Sequence, residues 1–114
     1  MKKRILIVDN DQDILDVTQV LLLDEKHEVF VAKNYKQLMF VLENYTPDVM
    51  ILDVMLETAD GRIICKELKS DPRYKQIKII LFSASANKLL DYQQYKADAV
   101  LEKPFDFKSL IDVI

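Results

Sequence analysis

The stretch that decides the fold is Val49-Met50-Ile51-Leu52-Asp53: four apolar residues in a row ending on a carboxylate. Thr46-Pro47-Asp48, a turn signal, introduces it. A short apolar run without polar alternation reads as a strand buried on both faces, as in parallel sheets. The same form recurs on either side. Arg4 to Asp9 and Ile77 to Phe82 are apolar runs that lead into polar residues. Glu28 to Ala32 and the short Val100-Leu101 complete a set of five predicted strands.

Helical apolar spacing fills the intervals. It runs from Gln12 to about Glu25 (Ile14, Val17, Leu21) and from Tyr35 to Asn44 (Leu38, Met39, Val41, Leu42). A third helix follows Gly61, the only glycine, with Ile63, Ile64 and Leu68, and Ser70-Asp71-Pro72 stops it. Asn87 to Lys96 reads as a weaker fourth helix, and a fifth begins near Phe107 and is cut short at Ile114. Five strand–helix alternations with strands buried on two faces predict an α/β fold, a parallel sheet with helices on both faces. Residues 1–114 are expected to form one domain.

Composition agrees. In 114 residues, 50% are hydrophobic and 31% charged, which suffices for a core without disulfides. A net charge of −3 without a basic stripe excludes the footprint of direct nucleic-acid contact. Lys2, Lys3 and Arg4 precede an apolar run too short for a signal peptide or a membrane span, so no membrane partner is expected. The single Cys65 cannot form an internal disulfide, fits a cytoplasmic setting, and falls in a helical apolar pattern as a small buried hydrophobe.

In open α/β sheets, ligands bind beyond the carboxyl ends of the strands. The first strand leads into Asp9, Asn10 and Asp11, the third ends on Asp53, and the fourth leads into Ser83 and Ser85. The fifth leads into Glu102-Lys103-Pro104, while the second offers nothing comparable. Neighbouring carboxylates repel unless a cation lies among them, and a hard divalent metal with oxygen ligands, magnesium above all, satisfies that need. A lysine supplies a point charge for a phosphoryl oxygen, a serine donates to another, and an in-line aspartate can attack phosphorus. The set is suited to phosphoryl transfer onto a carboxylate.

Four segments in order, ILIVDND (5–11), VMILDVMLETADG (49–61), IILFSAS (79–85) and AVLEKPF (99–105), resemble the receiver domains of two-component response regulators over nearly the whole chain. The resemblance implies a flavodoxin-like sheet of order 2-1-3-4-5. It implies a phosphoryl group passed from a histidine kinase or phosphotransfer protein to Asp53. Asp9, Asn10, Asp53 and the backbone carbonyl of Met55 would serve a Mg2+ site, Ser83 would sense the phosphoryl group, and Lys103 would pair with it. The Lys103–Pro104 bond is expected to be cis. Such a domain signals to a downstream effector domain or protein through its fourth helix, fifth strand and fifth helix. A homodimer is a further partner of that kind, and turnover catalysis is not expected.

Some residues depart from the family pattern. Asn10 stands where a second acidic metal ligand is usual, which predicts weaker Mg2+ binding. Val100 replaces the usual switch aromatic, Lys96 a common glycine and Glu57 a common proline. Asn10 and Val100 motivate the alternative of a degenerate receiver, a phosphate-independent binding module.

Other readings of the same residues fall away. A calcium-binding EF-hand loop starting at Asp9 needs glycine and glutamate where Ile14 and Val20 stand. An aspartyl phosphatase needs a general acid where Met55 stands. A nucleotide site needs a glycine-rich loop that the chain lacks. Asp11 and Asp13 suit a helix N-terminus, and Ser85 suits a cap for the fourth helix. His27 reads as a surface residue. Tyr92 and Tyr95 fit a partner-binding face and edge packing equally.

Overall fold

The computed structural model describes residues 2–114. Its strands are β1 (Arg4–Val8), β2 (Glu28–Ala32), β3 (Val49–Asp53), the two-residue β4 (Met55–Leu56) and β5 (Ala59–Asp60), β6 (Lys78–Ser83) and β7 (Ala99–Glu102). Its helices are α1 (Gln12–Asp24), α2 (Tyr35–Asn44), α3 (Gly61–Lys69) and α4 (Phe107–Val113). Five strands form one parallel sheet in the order β2-β1-β3-β6-β7. Counting only these five, that is the expected 2-1-3-4-5. The additional β4–β5 hairpin is antiparallel, and its strands are too short for any periodicity to announce them.

Side chains alternate across a strand, so each central strand feeds two cores. Leu6, Val8, Met50, Leu52, Ile79 and Leu81 pack with Leu38, Leu42, Ile64 and Leu68 of α2 and α3. Ile5, Ile7, Val49, Ile51, Ile80 and Phe82 pack with Leu15 and Leu22 of α1 and Leu110 of α4. This explains the uninterrupted apolar runs: every residue of the run has a core to enter. Each fully buried aliphatic side chain contributes about 1.5–3 kcal/mol. The edge strand β2 departs from the two-face rule, because only one neighbour flanks it. Its Phe30 and Val31 are more than a third exposed.

Four helix starts are capped by side chains. Asp11 accepts the amide of Asp13 (2.9 Å), Asn34 that of Gln37 (2.8 Å), Asp60 that of Arg62 (2.9 Å) and Asp106 that of Ser109 (2.7 Å). Asp11 and Asp13 thus take the helix-terminal roles expected of them. Cys65 is fully buried, and burial pushes its thiol up to about 12, which leaves it unreactive. No helix among the described residues is long and apolar enough to cross a membrane.

The fourth helix is corrected. Residues 87–96 form no α-helix but contribute to two 3₁₀ turns, Ala86–Leu89 and Tyr92–Tyr95. The inward residues Leu89, Tyr92 and Tyr95 recur every third position, the 3₁₀ period, while Leu90 stands 73% exposed. Ser85 precedes the first turn without a side-chain capping bond. Its amide instead donates to Ser83 Oγ (3.0 Å). Tyr92 and Tyr95 pack rather than project. Tyr92 lies against the core, and the Arg62 guanidinium sits 5.3 Å from the Tyr95 ring centroid. Lys96 ends the second turn at φ 63°, a left-handed conformation that explains why glycine is usual there. Its Nζ donates to Ser70 Oγ (3.0 Å) beyond α3. His27 is not simply a surface residue: half-buried, it accepts the Lys3 amide at Nδ1 (3.1 Å).

Gly61 lies against the backbone of β3 with no room for a side chain. Its amide donates to the Val54 carbonyl (2.7 Å), and a Cβ on it would lie 2.0 Å from the Asp53 carbonyl oxygen. Backbone cannot yield as a flexible side chain can, so Gly61→Ala should destabilise the protein by about 3 kcal/mol. Urea unfolding tests this through the midpoint at unchanged slope. A loss below about 1 kcal/mol would show that the β3–α3 connection relaxes freely.

Candidate functional site

β1, β3, β6 and β7 lie side by side, so their carboxyl ends meet. Asp9 follows β1 with no exposed surface, Asp53 ends β3 at 4% exposure, and Ser83 ends β6 at 1%. Among the described residues only Thr18 joins these three as a buried polar or charged residue. Polar groups are excluded from the sheet interior except at this one end. Lys103, just beyond β7, leads into the cis Lys103–Pro104 bond.

The Lys103 ammonium stands 2.7 Å from Asp9 Oδ2 and 3.6 Å from Asp53 Oδ2. It lies 4.4 Å from the Phe82 ring centroid, so an aromatic face supports the cation from below. Backbone amides fix the remaining oxygens. Asp9 Oδ1 accepts from Asp11 (2.8 Å), and Asp53 Oδ1 accepts from Met55 (3.1 Å). The Lys103 amide donates to the Ser83 carbonyl (2.9 Å), and the Val54 amide to the Phe82 carbonyl (3.0 Å). These bonds hold the strand ends at fixed separation.

Two carboxylates share one ammonium, which sits nearer Asp9. Asp53 is accordingly pushed up to about 6, first by burial and then by the Asp9 charge, against the Met55 amide and Lys103. The donor set fits a hard divalent cation on this ground: buried carboxylate charge exceeds the charge that neutralises it. Asn10 lies exposed on the loop after Asp9, and Met55 directly follows Val54 beyond Asp53. Both offer uncharged oxygens. Among the described residues no group of three His, Cys, Asp or Glu side chains is placed to hold a metal. The arrangement sets the Asp53 carboxylate beside an ammonium, with a buried hydroxyl on the neighbouring strand, a combination in which a carboxylate can act as a nucleophile.

The structure thus brings Asp9, Asp53 and Lys103 into direct contact, with Ser83 on the strand beside Asp53. Sequence reasoning missed two supports. Phe82 lies under the ammonium, and Gly61 allows the backbone to pass against the Asp53 carbonyl. The signal for the second was available, since Gly61 is the chain's only glycine.

Comparison with known proteins follows the same lines. A model described as the response regulator receiver domain matches residues 5–114. A CheY-like response regulator receiver domain protein from Methanospirillum hungatei JF-1 superposes with a TM-score of 0.86 at 28% identity, over 98% of this chain and 90% of that one. NtrX from Brucella abortus superposes at 0.90 with 26% identity, over 99% of this chain but only 26% of that longer one. The receiver domain of a sensor histidine kinase from Pseudomonas aeruginosa PAO1, described with a magnesium ion coordinated in its active site cleft, superposes at 0.86. It is 20% identical, over 99% of this chain and 94% of that one, and its likeness is one of fold.

The raised Asp53 has a consequence for stability. Below the ordinary carboxylate range Asp53 is protonated whether folded or unfolded, and its burial carries no charge penalty. As pH rises through about 6, the folded protein must hold a charge it disfavours, so this contribution to stability is lost. Asp53→Asn should therefore raise stability at pH 7 in metal-free buffer, by up to about 2 kcal/mol, and flatten the curve between the two values. Chemical denaturation across that pH range measures both. A variant no more stable than wild type, with the same pH profile, would contradict the charge imbalance.

Proposed function

The chain belongs to the response regulator receiver domain family, and we propose that Asp53 is its phosphoacceptor, taking a phosphoryl group from the phosphohistidine of a histidine kinase or phosphotransfer protein. The observation that carries this reading is the single ammonium of Lys103 shared by Asp9 and Asp53 at the end of the sheet. In the reaction an Asp53 carboxylate oxygen forms the bond to phosphorus as the phosphorus–nitrogen bond of the donor breaks. Residues 1–114 act as one receiver unit in the cytoplasm, signalling by protein contact rather than by turnover.

The surrounding residues support that step. Lys103 is close enough to Asp53 to pair with a phosphoryl oxygen, giving up part of its contact with Asp9. Ser83 Oγ already accepts the Ser85 amide, which leaves its own proton free to donate to a phosphoryl oxygen. Asp9, the Asn10 amide oxygen, Asp53 and the Met55 carbonyl would hold Mg2+, which when bound neutralises negative charge on the transferring group. The added phosphate charge then draws Ser83, which ends β6, and Lys103, which directly follows β7. With Val100 in place of an aromatic, the change reaches the surface through the β6 and β7 ends and their loops.

Asn10 also supports a second reading, a degenerate receiver that binds partners without phosphate, because the metal site has one carboxylate fewer than is usual. Intact-mass measurement after treatment with a small phosphodonor and Mg2+ separates the two. The phosphoacceptor reading expects one phosphoryl gain that needs Mg2+ and vanishes in Asp53→Ala. No gain by a folded protein, even at high Mg2+, would establish the degenerate module.

Charge at position 10 makes a separate prediction. A carboxylate attracts Mg2+ more strongly than an amide oxygen does, so Asn10→Asp should tighten Mg2+ binding at least tenfold, about 1.4 kcal/mol. Titration calorimetry reads this directly. Equal affinities in the two proteins would show that residue 10 does not contact the metal.

A further inference from the structure

Phe82 occupies a place where the sheet needs only bulk. It lies near the end of β6 with no exposed surface. Every other buried residue of its core cluster is aliphatic, from Ile5 and Ile7 to Ile80, Leu101 and Leu110. The one buried aromatic side chain in that cluster stands in register with Asp53 on β3 and with Leu101 on β7. A leucine or isoleucine would serve the core as well there. The ring therefore calls for a second explanation, and the Lys103 ammonium supplies it.

The ammonium lies over the Phe82 ring, 4.4 Å from its centroid. The other cation–ring contacts among the described residues, at 5.0, 5.3 and 6.0 Å, are longer, and each uses an arginine over a tyrosine. Desolvation strengthens such a contact, and the Lys103 side chain is only 17% exposed. An ammonium has three protons to place. Asp9 Oδ2 is its one hydrogen-bond acceptor among the described residues, and Asp53 Oδ2 stands off at 3.6 Å. Phe105, two residues beyond Lys103, packs against the ring with centroids 6.4 Å apart and planes tilted by 56°, which fixes the ring's orientation.

From this geometry we infer that Phe82 is a positioning residue for phosphoryl transfer, its ring holding the Lys103 ammonium in place beside Asp53. The inference rests on reading Asp53 as the phosphoacceptor, and it adds the group that keeps the pairing cation ready. A further oxygen in place of the ring would compete with the phosphoryl group for the ammonium. A ring face attracts the cation without adding a charge, and does so over its whole width. The shift that brings the ammonium from 3.6 Å to hydrogen-bonding distance of the Asp53 side is no more than about 1 Å, so it is made without leaving the ring. An aliphatic side chain would leave the ammonium to recruit water, which the incoming phosphoryl group must then displace. The ring removes that reorganisation in advance.

The test replaces Phe82 by phenylalanines carrying one, two or three ring fluorines, which keep the shape of the ring and drain negative charge from its face. Phosphoryl gain is followed by intact mass against time with a small phosphodonor and Mg2+. The maximal rate should fall stepwise with each fluorine, by about fivefold in all, while the donor concentration at half-maximal rate stays within about twofold. The same series at Phe30, on the far edge strand, should leave the rate unchanged. Independently of any activity, nuclear Overhauser contacts between the Lys103 ε-methylene and the Phe82 ring are expected in the untreated wild-type protein. A rate indifferent to fluorination at Phe82 would overturn the inference and leave the phosphoacceptor standing. So would a change in half-maximal donor concentration alone, which would place the ring in donor binding, or the absence of the Overhauser contacts. No phosphoryl gain in any of the proteins, wild type included, would instead remove the phosphoacceptor, and with it the role of Phe82 in transfer.

Discussion

One ammonium group holds the working end of this molecule together. Lys103 Nζ reaches Asp9 across 94 residues of sequence and stands 3.6 Å from Asp53. Without it, two buried carboxylates would face each other in a region where charge is poorly screened. With it, one carboxylate is well paired and the other only partly so. That inequality leaves Asp53 the less stabilised anion and the group that gains most from a new partner. The same imbalance leaves more negative charge in the pocket than one ammonium neutralises, the condition under which a further cation is favoured. A fully compensated site would be more stable and less useful.

The backbone carries more of this geometry than the side chains suggest. Amides of Asp11 and Met55 each hold one oxygen of the two carboxylates, and the Ser85 amide holds the Ser83 hydroxyl oxygen. Each is two residues on from the group it holds, so the turn that ends each strand also orients its functional side chain. Gly61 completes this scheme by letting the start of α3 approach the Asp53 carbonyl more closely than any side chain would permit. Loop geometry and site geometry are therefore one property, which is why a methyl group at position 61 is expected to be felt at Asp53.

The route outward from the site is shaped by what is small or irregular. Val100 leaves open a space beside β7, and the 3₁₀ turns hold Leu89 inside while turning Leu90 out. Lys96 adopts a left-handed conformation and ties the second turn to the end of α3 through Ser70. The segment between β6 and β7 is thus anchored at its far end by Lys96 and along its length by Leu89 and Tyr92, with Leu90 left outside. Ser83 and Lys103 stand at the ends of β6 and β7, the two strands that this segment connects.

Much of this was legible in the residues alone. The uninterrupted apolar runs at 5–8, 49–52 and 79–82, short and bounded by polar residues, read as strands with cores on both sides, and the carboxylates, serine and lysine that follow such strands gather at the carboxyl end of a parallel sheet. Periodicity is a local property, and these assignments depend on nothing else. The rest depended on neighbours. β2 has the composition of an interior strand yet lies at the edge, because strand order is set by crossover connections and not by strand sequence. Residues 87–96 carry a weak helical pattern, but Leu89 and Tyr92 meet the core and Tyr95 meets Arg62 at the three-residue spacing of the tighter turn. Ser85 has the chemistry of a cap, but it precedes a four-residue 3₁₀ turn and its side chain makes no capping bond. Which carboxylate Lys103 would favour, and hence which is left reactive, is a matter of ångströms between groups far apart in the chain. The sequence determined which groups would meet at the strand ends; only the packed sheet decided how evenly they would share one positive charge.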